Sequence, residues 1–352
     1  MEPSPSTSPK RSDPAPAVLW TPLGGGAVRC GLCAHRCRIA EGAEGICRVR
    51  VNSGGALFTL VKDRLVAAHV DPIEKKPLFH FLPGTTSYSI ATAGCNFRCD
   101  YCQNWAISQA PRLDAGEIPG EEVRPADVVT DAVRRRCASV SCTYTEPTVY
   151  FETAEAVGTL ARGAGLKTVF VTNGYLTPEA AARAASFLDA ANVDLKGFND
   201  RAYRRVCGAT LKGVLTGLEA LLAGGVWVEV TTLVVPGLND SEAELSALAA
   251  HLAGLGRHIP WHVSRFHPDF RREATPPTPE ATLERVLALG RAAGLHHVYV
   301  GNLPGHAAES TRCPSCETMV IERAGFRVLS NRLAGGRCPA CGTQVRGVWD
   351  AA

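Results

Sequence analysis

Cysteine is the residue type whose number and spacing in this sequence most directly indicate chemistry. The chain has 352 residues and 14 cysteines, and 11 of these fall into three groups. In a reducing compartment, clustered cysteines indicate metal ligands rather than disulfides. The groups are the N-terminal cysteine site (Cys30, Cys33, Cys37 and Cys47), the central cysteine triad (Cys95, Cys99 and Cys102) and the C-terminal cysteine site (Cys313, Cys316, Cys338 and Cys341).

The central cysteine triad has the spacing C-x3-C-x2-C. Three thiolates so close together suit an iron–sulfur cluster or zinc. A structural zinc ion takes four ligands, whereas a [4Fe–4S] cluster held by three cysteines keeps one iron open for an outside ligand. The alternatives are a zinc knuckle with a remote fourth ligand and a ferredoxin-like electron carrier.

The C-terminal cysteine site consists of two C-P-x-C pairs separated by 21 residues. Four thiolates in a tetrahedral array fit Zn²⁺, so we expect a zinc-ribbon-like module, with iron as the alternative. The N-terminal cysteine site, C-x2-C-x3-C-x9-C with His35 between two of its cysteines, fits either zinc or a second [4Fe–4S] cluster. The three single cysteines are expected to be buried and inert; these are Cys137, Cys142 and Cys207.

Short β-branched runs alternate with Ala- and Leu-rich stretches from Ser87 onward. Repeated strand–helix units predict a parallel sheet with helices outside, and six or seven units indicate a partial barrel. Strands are predicted at 88–92, 139–144, 168–172, 191–195, 227–234, 262–266 and 298–300. Helices are predicted at 125–136, 149–164, 178–187, 211–223, 242–255 and 279–293.

The chain divides by composition into four predicted parts. Residues 1–20 are rich in Pro and Ser and are expected to be disordered. Residues 21–84 hold the N-terminal cysteine site and two short apolar runs, Ala56–Lys62 and Arg64–Val70, which predict a β-hairpin or two small strands. Residues 85–305 form the α/β barrel, and residues 306–352 form the C-terminal module with a small hairpin.

Composition narrows the classes of partner. Apolar residues make up 45% of the chain, charged residues 20%, and the formal net charge is only +3. This balance argues against a large nucleic-acid footprint, although a local basic patch is compatible with it. No apolar stretch of about 18 residues predicts a membrane span. No secretory signal pattern begins the chain, so we expect a cytoplasmic protein without a membrane partner.

The triad motif, with Tyr101 before its last cysteine and in the loop after the first barrel strand, resembles the radical S-adenosylmethionine (radical SAM) superfamily. The resemblance implies an α/β fold, a partial (β/α)6-type TIM-like barrel, with Cys95, Cys99 and Cys102 holding a [4Fe–4S] cluster. It also implies S-adenosylmethionine (SAM) bound to the open iron. Reductive cleavage of SAM would give a 5′-deoxyadenosyl radical that abstracts hydrogen, with an electron donor such as flavodoxin or ferredoxin.

The same resemblance assigns SAM contacts at the strand ends. Thr145 and Glu146 lie where radical SAM proteins carry a Gly-Gly-Glu-Pro-like stretch that receives the methionyl ammonium, although this chain has no glycine pair there. Asn173 would contact the ribose or the carboxylate. Asp194 and Lys196 alternate about Leu195, so both would face the barrel mouth, as a ligand clamp or as a plain salt bridge. The remaining candidates for SAM contact are Tyr101 and His267.

Further stretches resemble the glycyl-radical-enzyme activases, of which pyruvate formate-lyase activating enzymes are an example. They include Thr172–Gly174 and Phe266–Pro268, but Thr231 stands where activases carry an arginine. Taken together, residues 25–350 resemble the radical SAM enzyme of the AmmeMemoRadiSam system. The stretches that carry this resemblance are DPIEKKPLFHFLPG, ATAGCNFRCDYCQNW, TYTEPT, VTNGY, ANVDLKGF, VEVTTLVVPGLND and WHVSRFHPD.

Three functions remain open from the sequence. The first is a radical SAM enzyme acting on a protein or a small molecule, in the manner of an activase. The second is an RNA-modifying radical SAM enzyme that would use the arginines of the C-terminal module to bind phosphate. The third is a non-catalytic scaffold with zinc at all three cysteine groups.

Overall fold

The computed structural model describes residues 14–113 and 118–350. Its centre is an eight-stranded sheet in which the strand order follows the chain. The first strand is antiparallel to the second, and the other seven run parallel. The strands are β1 (Ala67–Pro72), β2 (Thr86–Ala91), β3 (Ser139–Cys142), β4 (Lys167–Thr172), β5 (Ala190–Asp194), β6 (Trp227–Val234), β7 (Trp261–Arg265) and β8 (Val298–Gly301).

Six helices connect the parallel strands, one in each crossover. The predicted α/β architecture, its six strand–helix units and the predicted last strand β8 are confirmed, and the antiparallel β1 forms the opposite edge of the sheet. The sheet is an open barrel because β1 and β8 are not paired with each other. The helices are α1 (Pro125–Arg134), α2 (Phe151–Gly163), α3 (Pro178–Ala184), α4 (Leu211–Ala223), α5 (Glu242–Leu255) and α6 (Glu280–Ala292).

Two of these helices begin at a capping side chain that accepts a hydrogen bond from a backbone amide of the first turn. The Thr177 hydroxyl accepts from Ala180 N ahead of α3, and the Ser241 hydroxyl accepts from Glu244 N ahead of α5. Pro178 occupies the first turn of α3, where its fixed φ suits a helix and its missing N–H costs nothing. Shorter helical turns lie at Gly24–Gly26, Ile73–Lys75, Trp105–Ser108, Ala110–Leu113, Pro147–Tyr150, Asp200–Ala202, Tyr203–Cys207, Phe270–Arg272 and Ala307–Glu309.

The pairing of the two apolar runs before the barrel differs from the predicted hairpin. Ala56–Thr59 pairs with Arg50–Ser53, which precedes it, rather than with the run after Asp63. Asp63 has a positive φ of 56°, and its amide donates to Thr153 Oγ1 at 2.7 Å. This contact with α2 turns the chain onto the barrel, where it continues as β1 along β2. The segment that holds the N-terminal cysteine site therefore also supplies an edge of the central sheet.

The predicted disordered tail, residues 1–20, lies mostly outside the described residues. Its described part, from residue 14, is ordered: Ala15–Pro16 pairs with Ala56–Thr59, and Val18 N donates to Glu152 Oε1 at 2.8 Å. The expectation of disorder fails for residues 14–20 because a buried carboxylate on α2 and a strand edge hold them. The other short strands are Trp20–Pro22, Val28–Cys30, Arg38–Ile39, Arg64–Leu65 and Glu121–Glu122.

The C-terminal module contains the predicted hairpin, formed by Met319–Ala324 and Arg327–Asn331, with Thr311–Arg312 beside it. Arg323 docks the module on the barrel, since its guanidinium lies 4.2 Å from the Phe79 ring centre and donates to the Phe79 carbonyl at 2.7 Å. This side chain is buried. Arg323 is therefore unavailable to RNA, and the exposed arginines of the module are Arg312, Arg327, Arg332, Arg337 and Arg346.

Among the described residues, no single helix is long and apolar enough to cross a membrane; one bent pair, Asp200–Cys207 with Leu211–Ala223, reaches that length and composition across a 98° bend.

Close packing between α4 and the loop after β4 depends on one glycine. A Cβ at Gly217 would lie 2.0 Å from the Gly174 carbonyl oxygen, which is backbone and has little freedom to move. We expect Gly217→Ala to lower the free energy of unfolding by about 1–3 kcal/mol through overpacking. Urea denaturation measures this effect.

Gly163→Ala is the matched control, because a Cβ there meets nothing within 4 Å and the residue ends a helix. We expect the control to be neutral or slightly stabilising. Equal stability of the two variants would contradict the packing argument.

Candidate functional site

The carboxyl ends of the parallel strands surround one cavity of about 260 Å³. This is the edge of an α/β barrel at which ligands bind. The cavity brings together nearly all the side chains singled out from the sequence: Cys95, Cys99, Tyr101, Cys102, Thr145, Glu146, Asn173, Asp194 and Lys196. His267 is the exception, since it is exposed at the rim and contacts the lining residue Gln103 through an Nε2–Nε2 hydrogen bond of 2.7 Å.

The central cysteine triad occupies the loop between β2 and the short helix Trp105–Ser108. Cys99 is buried, Cys95 and Cys102 are half-buried, and Cys95 Sγ accepts from Phe97 N at 3.3 Å. Within the described ranges, these sulfur atoms do not form a set lying within 4.8 Å of one another. Four thiolates around one zinc ion would lie about 3.8 Å apart, because Zn–S bonds are about 2.3 Å and tetrahedral. The wider spacing fits a [4Fe–4S] cluster, in which each thiolate binds a different iron.

Glu146 ties together the ends of two neighbouring strands. Its Oε1 accepts from Thr148 N (3.0 Å), Thr148 Oγ1 (2.6 Å) and Thr172 Oγ1 (2.8 Å), and its Oε2 accepts from Asn173 N (2.8 Å). Burial raises the pKa of Glu146, and these hydrogen bonds offset part of that rise. The carboxylate therefore holds the two turns in place beside the cavity. Its predicted contact with the SAM ammonium stays a prediction.

The Asn173 side chain is likewise engaged within the protein. Its Nδ2 donates to Asn96 Oδ1 at 2.7 Å, and its Oδ1 accepts from Tyr175 N at 3.0 Å. Asn173 thus connects the turn after β4 to the triad loop. The Thr145 hydroxyl donates to the Thr92 carbonyl at 2.9 Å in the same region. Their predicted ligand contacts stay predictions.

Asp194 and Lys196 both face the cavity, as their alternation about Leu195 indicates, and they form a salt bridge with an N–O distance of 3.1 Å. Burial alone would lower the pKa of Lys196, but Asp194 and the thiols of Cys99 and Cys207 outweigh it and hold that pKa well above its usual range. A charged lysine beside the triad would balance the negative charge of a thiolate-bound cluster.

Cys207 lies closer to the site than the sequence indicates. All three single cysteines are buried as expected, but the Cys207 thiol hydrogen bonds with that of Cys99, which raises the pKa of Cys99. Tyr101 Oη lies 3.9 Å from Cys207 Sγ, and burial raises the pKa of Tyr101. No spacing pattern connects Cys207 to the triad, because the turn that carries it follows β5 and reaches the triad only through folding.

Other residues at the cavity were not predicted as ligand contacts. Tyr144 lines the cavity and donates its hydroxyl to Asp71, which also accepts from Lys76 Nζ at 2.7 Å. Thr231 and Ser264 face the cavity from β6 and β7, and Thr231 Oγ1 is buried with no hydrogen-bond partner among the described residues. Asp71 lies in the antiparallel edge strand β1 and Lys76 follows it, so reasoning from the ends of the parallel strands did not reach them.

The N-terminal cysteine site lines a separate, small cavity. No three of its four sulfur atoms lie within 4.8 Å of one another in the described structure. Burial and the other thiols of the site raise the pKa of Cys33 well above its usual range. His35 contacts the carbonyl oxygen of Asn96, in the triad loop, through Nε2 at 2.9 Å, and burial lowers the pKa of His35.

The C-terminal cysteine site differs, since all four sulfur atoms lie within 4.8 Å of one another. Two pairs, Cys313–Cys341 at 3.5 Å and Cys316–Cys338 at 3.7 Å, have the separation that a tetrahedral zinc site requires. Cys341 Sγ lies 3.2 Å from the Thr343 hydroxyl oxygen, and contacts with the hydroxyl and the amide of Thr343 lower the pKa of Cys341 to about 6, which favours the thiolate that a metal binds. The structure thus fits the predicted zinc-ribbon-like module.

Comparison with known proteins assigns the family. Residues 89–249, which contain the central cysteine triad, match the radical SAM superfamily. The uncharacterized protein MJ0808 of Methanocaldococcus jannaschii is 43% identical over 332 residues, covering 94% of this chain and 98% of that protein. The chain belongs to the radical SAM superfamily. The predicted enzyme class is therefore confirmed, whereas the narrower AmmeMemoRadiSam assignment stays a prediction.

Other radical SAM relatives are similar over part of the chain. The isethionate sulfite-lyase activating enzyme of Nitratidesulfovibrio vulgaris is 33% identical over 132 residues, covering 35% of this chain and 42% of that enzyme. A radical SAM methyltransferase structure from Sphaerobacter thermophilus is 17% identical with a TM-score of 0.49, covering 63% of this chain and 68% of that chain. Less than half of the activating enzyme is therefore matched.

The Asp71 carboxylate makes the stability of this radical SAM protein depend on pH. Burial alone would raise its pKa, but hydrogen bonds from Lys75, Lys76 and Tyr144 hold the pKa well below its usual range. The pKa of an aspartate in the unfolded chain is about 3.9. The ionised Asp71 therefore stabilises the folded state fully above about pH 4, and this contribution is lost as the pH falls toward the lower pKa of Asp71 in the folded state. We expect Asp71→Asn to cost about 3 kcal/mol at pH 7, because the buried Lys76 ammonium loses its partner.

Urea denaturation at several pH values measures this difference between wild type and variant. It should shrink as the pH falls below about 4. Asp127→Asn, which breaks only an exposed pair with Arg124, is the control and should have little effect. A difference that does not change with pH would contradict the assignment.

Zinc content tests the C-terminal cysteine site. We expect Cys316→Ser to remove about one zinc per chain, because three thiolates leave a structural zinc site incomplete, and to leave the iron content unchanged. Elemental analysis of anaerobically purified protein measures both metals. The neighbouring Ser315→Ala replaces an exposed non-ligand and should keep the zinc. Loss of iron instead of zinc would show that this site holds iron.

Proposed function

We propose that this radical SAM enzyme cleaves SAM reductively and abstracts a hydrogen atom from a polypeptide substrate, in the manner of an activase. The observation that carries the proposal is the cavity at the barrel mouth. Three thiols with the spacing of a cluster share it with the Asp194–Lys196 pair and with Thr231, which has an unpartnered hydroxyl. The group that these thiols would hold supplies one electron to the SAM sulfonium, which yields the 5′-deoxyadenosyl radical.

The chain's own residues position and enclose these components. Cys95, Cys99 and Cys102 would bind three irons, and the Asp194–Lys196 pair offers both signs of charge to the amino-acid portion of SAM. Glu146 and Asn173 keep the turns around the triad rigid through the hydrogen bonds described above. Tyr144, which lines the cavity, is held in place by its hydrogen bond to Asp71 on the edge strand β1.

The rim of the cavity supports a polypeptide substrate. Trp105 follows the triad loop, is 38% exposed, and stacks on Phe270 with ring centres 5.2 Å apart. Trp105 directly follows Asn104, which lines the cavity. An exposed aromatic side chain beside a cofactor cavity is typical of a surface that contacts another protein. A flavodoxin or ferredoxin would supply the electron.

SAM cleavage tests the chemistry. We expect anaerobically reconstituted protein with dithionite to convert SAM to 5′-deoxyadenosine and methionine, measured by liquid chromatography and mass spectrometry. Cys99→Ala should fall to the level of the metal-free protein, since the cluster loses one of its three ligands. Cys137→Ala removes a buried cysteine outside the site and is the matched control, which should retain cleavage.

Deuterium transfer tests the substrate class. With extract from deuterium-labelled source cells, we expect deuterium in the 5′-deoxyadenosine formed with the macromolecular fraction, and loss of this transfer after protease treatment. Loss after ribonuclease treatment instead would favour the RNA-modifying alternative. Transfer only from the small-molecule fraction would contradict a polypeptide substrate. Absence of SAM cleavage in every sample would exclude the radical chemistry itself.

A further inference from the structure

We propose that the N-terminal cysteine site holds a second iron–sulfur cluster, rather than zinc, and that this cluster is the point of electron entry to the central cysteine triad. The metal assignment stands on the geometry of the site. The electron-entry role rests on the proposed function, since it presumes a redox-active group at the triad.

Sulfur spacing separates the three cysteine groups into two kinds. The C-terminal site has all four sulfur atoms within 4.8 Å of one another, as a single tetrahedral ion requires. The N-terminal site and the triad, both fully within the described residues, do not form such sets. The four N-terminal thiols nevertheless line one common cavity, so they face a shared space although their sulfur atoms lie farther apart than the ligands of a single ion. This arrangement matches a cluster in which each thiolate binds a separate iron.

The surroundings of this cavity also suit a cluster. Leu32, Ile39 and Val149 give it apolar walls, and the buried Arg50 side chain lines it. Arg50 pairs with Glu152 through Nη2, but its Nε–H is buried with no hydrogen-bond partner in the described structure. An unpartnered buried N–H donor beside four thiolates is accounted for by a sulfur acceptor, and such bonds tune cluster potentials. Four protein ligands would leave no open iron, which suits electron transfer rather than substrate binding.

The N-terminal site lies directly behind the triad loop. A Cβ at Gly94 would lie 3.4 Å from the carbonyl oxygen of Cys47, so the two cysteine loops are in contact. Arg112 Nη2 donates to the carbonyls of Ile46 (2.8 Å) and Cys95 (2.7 Å), residues that adjoin or belong to the two sites.

Asn96 forms the wall between the two sites. It lines the N-terminal cavity, and its carbonyl contacts His35. Short covalent and hydrogen-bonded paths therefore join the two groups of thiols.

The electron balance is simple. A low-potential one-electron donor, protein or dithionite, is oxidised by one electron and reduces the N-terminal cluster from the 2+ to the 1+ core state. That electron then passes to the group at the triad, and the N-terminal cluster returns to 2+. No bond forms or breaks within the N-terminal site during the transfer.

Metal analysis of the full chain tests the assignment. We expect anaerobically purified and reconstituted wild type to contain about eight iron, eight sulfide and one zinc per chain. Cys33→Ser/Cys37→Ser should lose about half of the iron and keep the zinc. Cys99→Ser should lose the other half. Retention of zinc in both variants shows that the C-terminal module remains folded.

The outcomes separate this inference from the proposed function. Wild type with about four iron and two zinc, in which the N-terminal variant loses zinc, overturns the second cluster and leaves the triad intact. If Cys99→Ser keeps all of the iron and the N-terminal variant loses it, the triad holds no cluster. The proposed radical chemistry then fails, and the iron–sulfur cluster at the N-terminal site stands. Should the N-terminal variant fail to fold, the wild-type metal content and Cys99→Ser decide the assignment.

Electron paramagnetic resonance tests the proximity on which electron entry depends. Reduced wild type should carry about two spins per chain, and each cysteine variant about one. Neighbouring paramagnetic clusters couple, so the wild-type spectrum should differ from the sum of the two variant spectra. A spectrum equal to that sum would overturn the electron-entry role.

Discussion

The triad loop must hold three thiols at fixed positions, although it lacks the regular backbone hydrogen bonds of a strand or a helix. Contacts from other parts of the chain hold this loop in place. Val49 and the Cys47 carbonyl pack against Gly94 at one side of the triad. Asn173 Nδ2 bonds Asn96 on another side, and Arg272 bonds Asp100 from the loop after β7. Positioning of the thiols is thus shared by distant parts of the chain.

Many of the polar side chains around the cavity form hydrogen bonds with other groups of the protein and so hold the surrounding backbone in place. Glu146 accepts four hydrogen bonds and is buried, so it contributes rigidity between the ends of β3 and β4. Asp71 joins two lysines and Tyr144 at the edge strand β1. Buried carboxylates of this kind are stable only when their oxygens are satisfied, and each such network restricts the backbone that carries it. The groups at the cavity with capacity left for a ligand include the thiols, the Asp194–Lys196 pair and Thr231.

The three cysteine groups offer the same ligand type but differ in the spacing of their sulfur atoms. That spacing decides whether a group fits a single metal ion or a cluster. In the C-terminal site, the four sulfur atoms have the separations that ligands of a single metal ion require. The small module around this site has a core of only a few apolar residues. A module of that size requires such a cross-link because its core buries little apolar area. The N-terminal site and the triad lie against each other, and their wider spacing suits polynuclear groups. Arg323 joins the C-terminal module to the barrel instead of serving as a surface cation.

Local patterns in the sequence determined the barrel and the candidate metal ligands. Strands such as Trp227–Val234 and helices such as Leu211–Ala223 follow from β-branched runs, Ala- and Leu-rich stretches and capping residues, all of which act over a few positions. The triad motif is equally local. What only the tertiary structure decided involves contacts between separate parts of the chain: Cys207 beside Cys99, Arg50 facing the N-terminal thiols, and the pairing of the edge strand Ala67–Pro72 with β2. No periodicity records these contacts, because they arise when the crossovers bring strand ends and loops together, and because the sulfur separations that distinguish zinc from a cluster exist only in the folded chain.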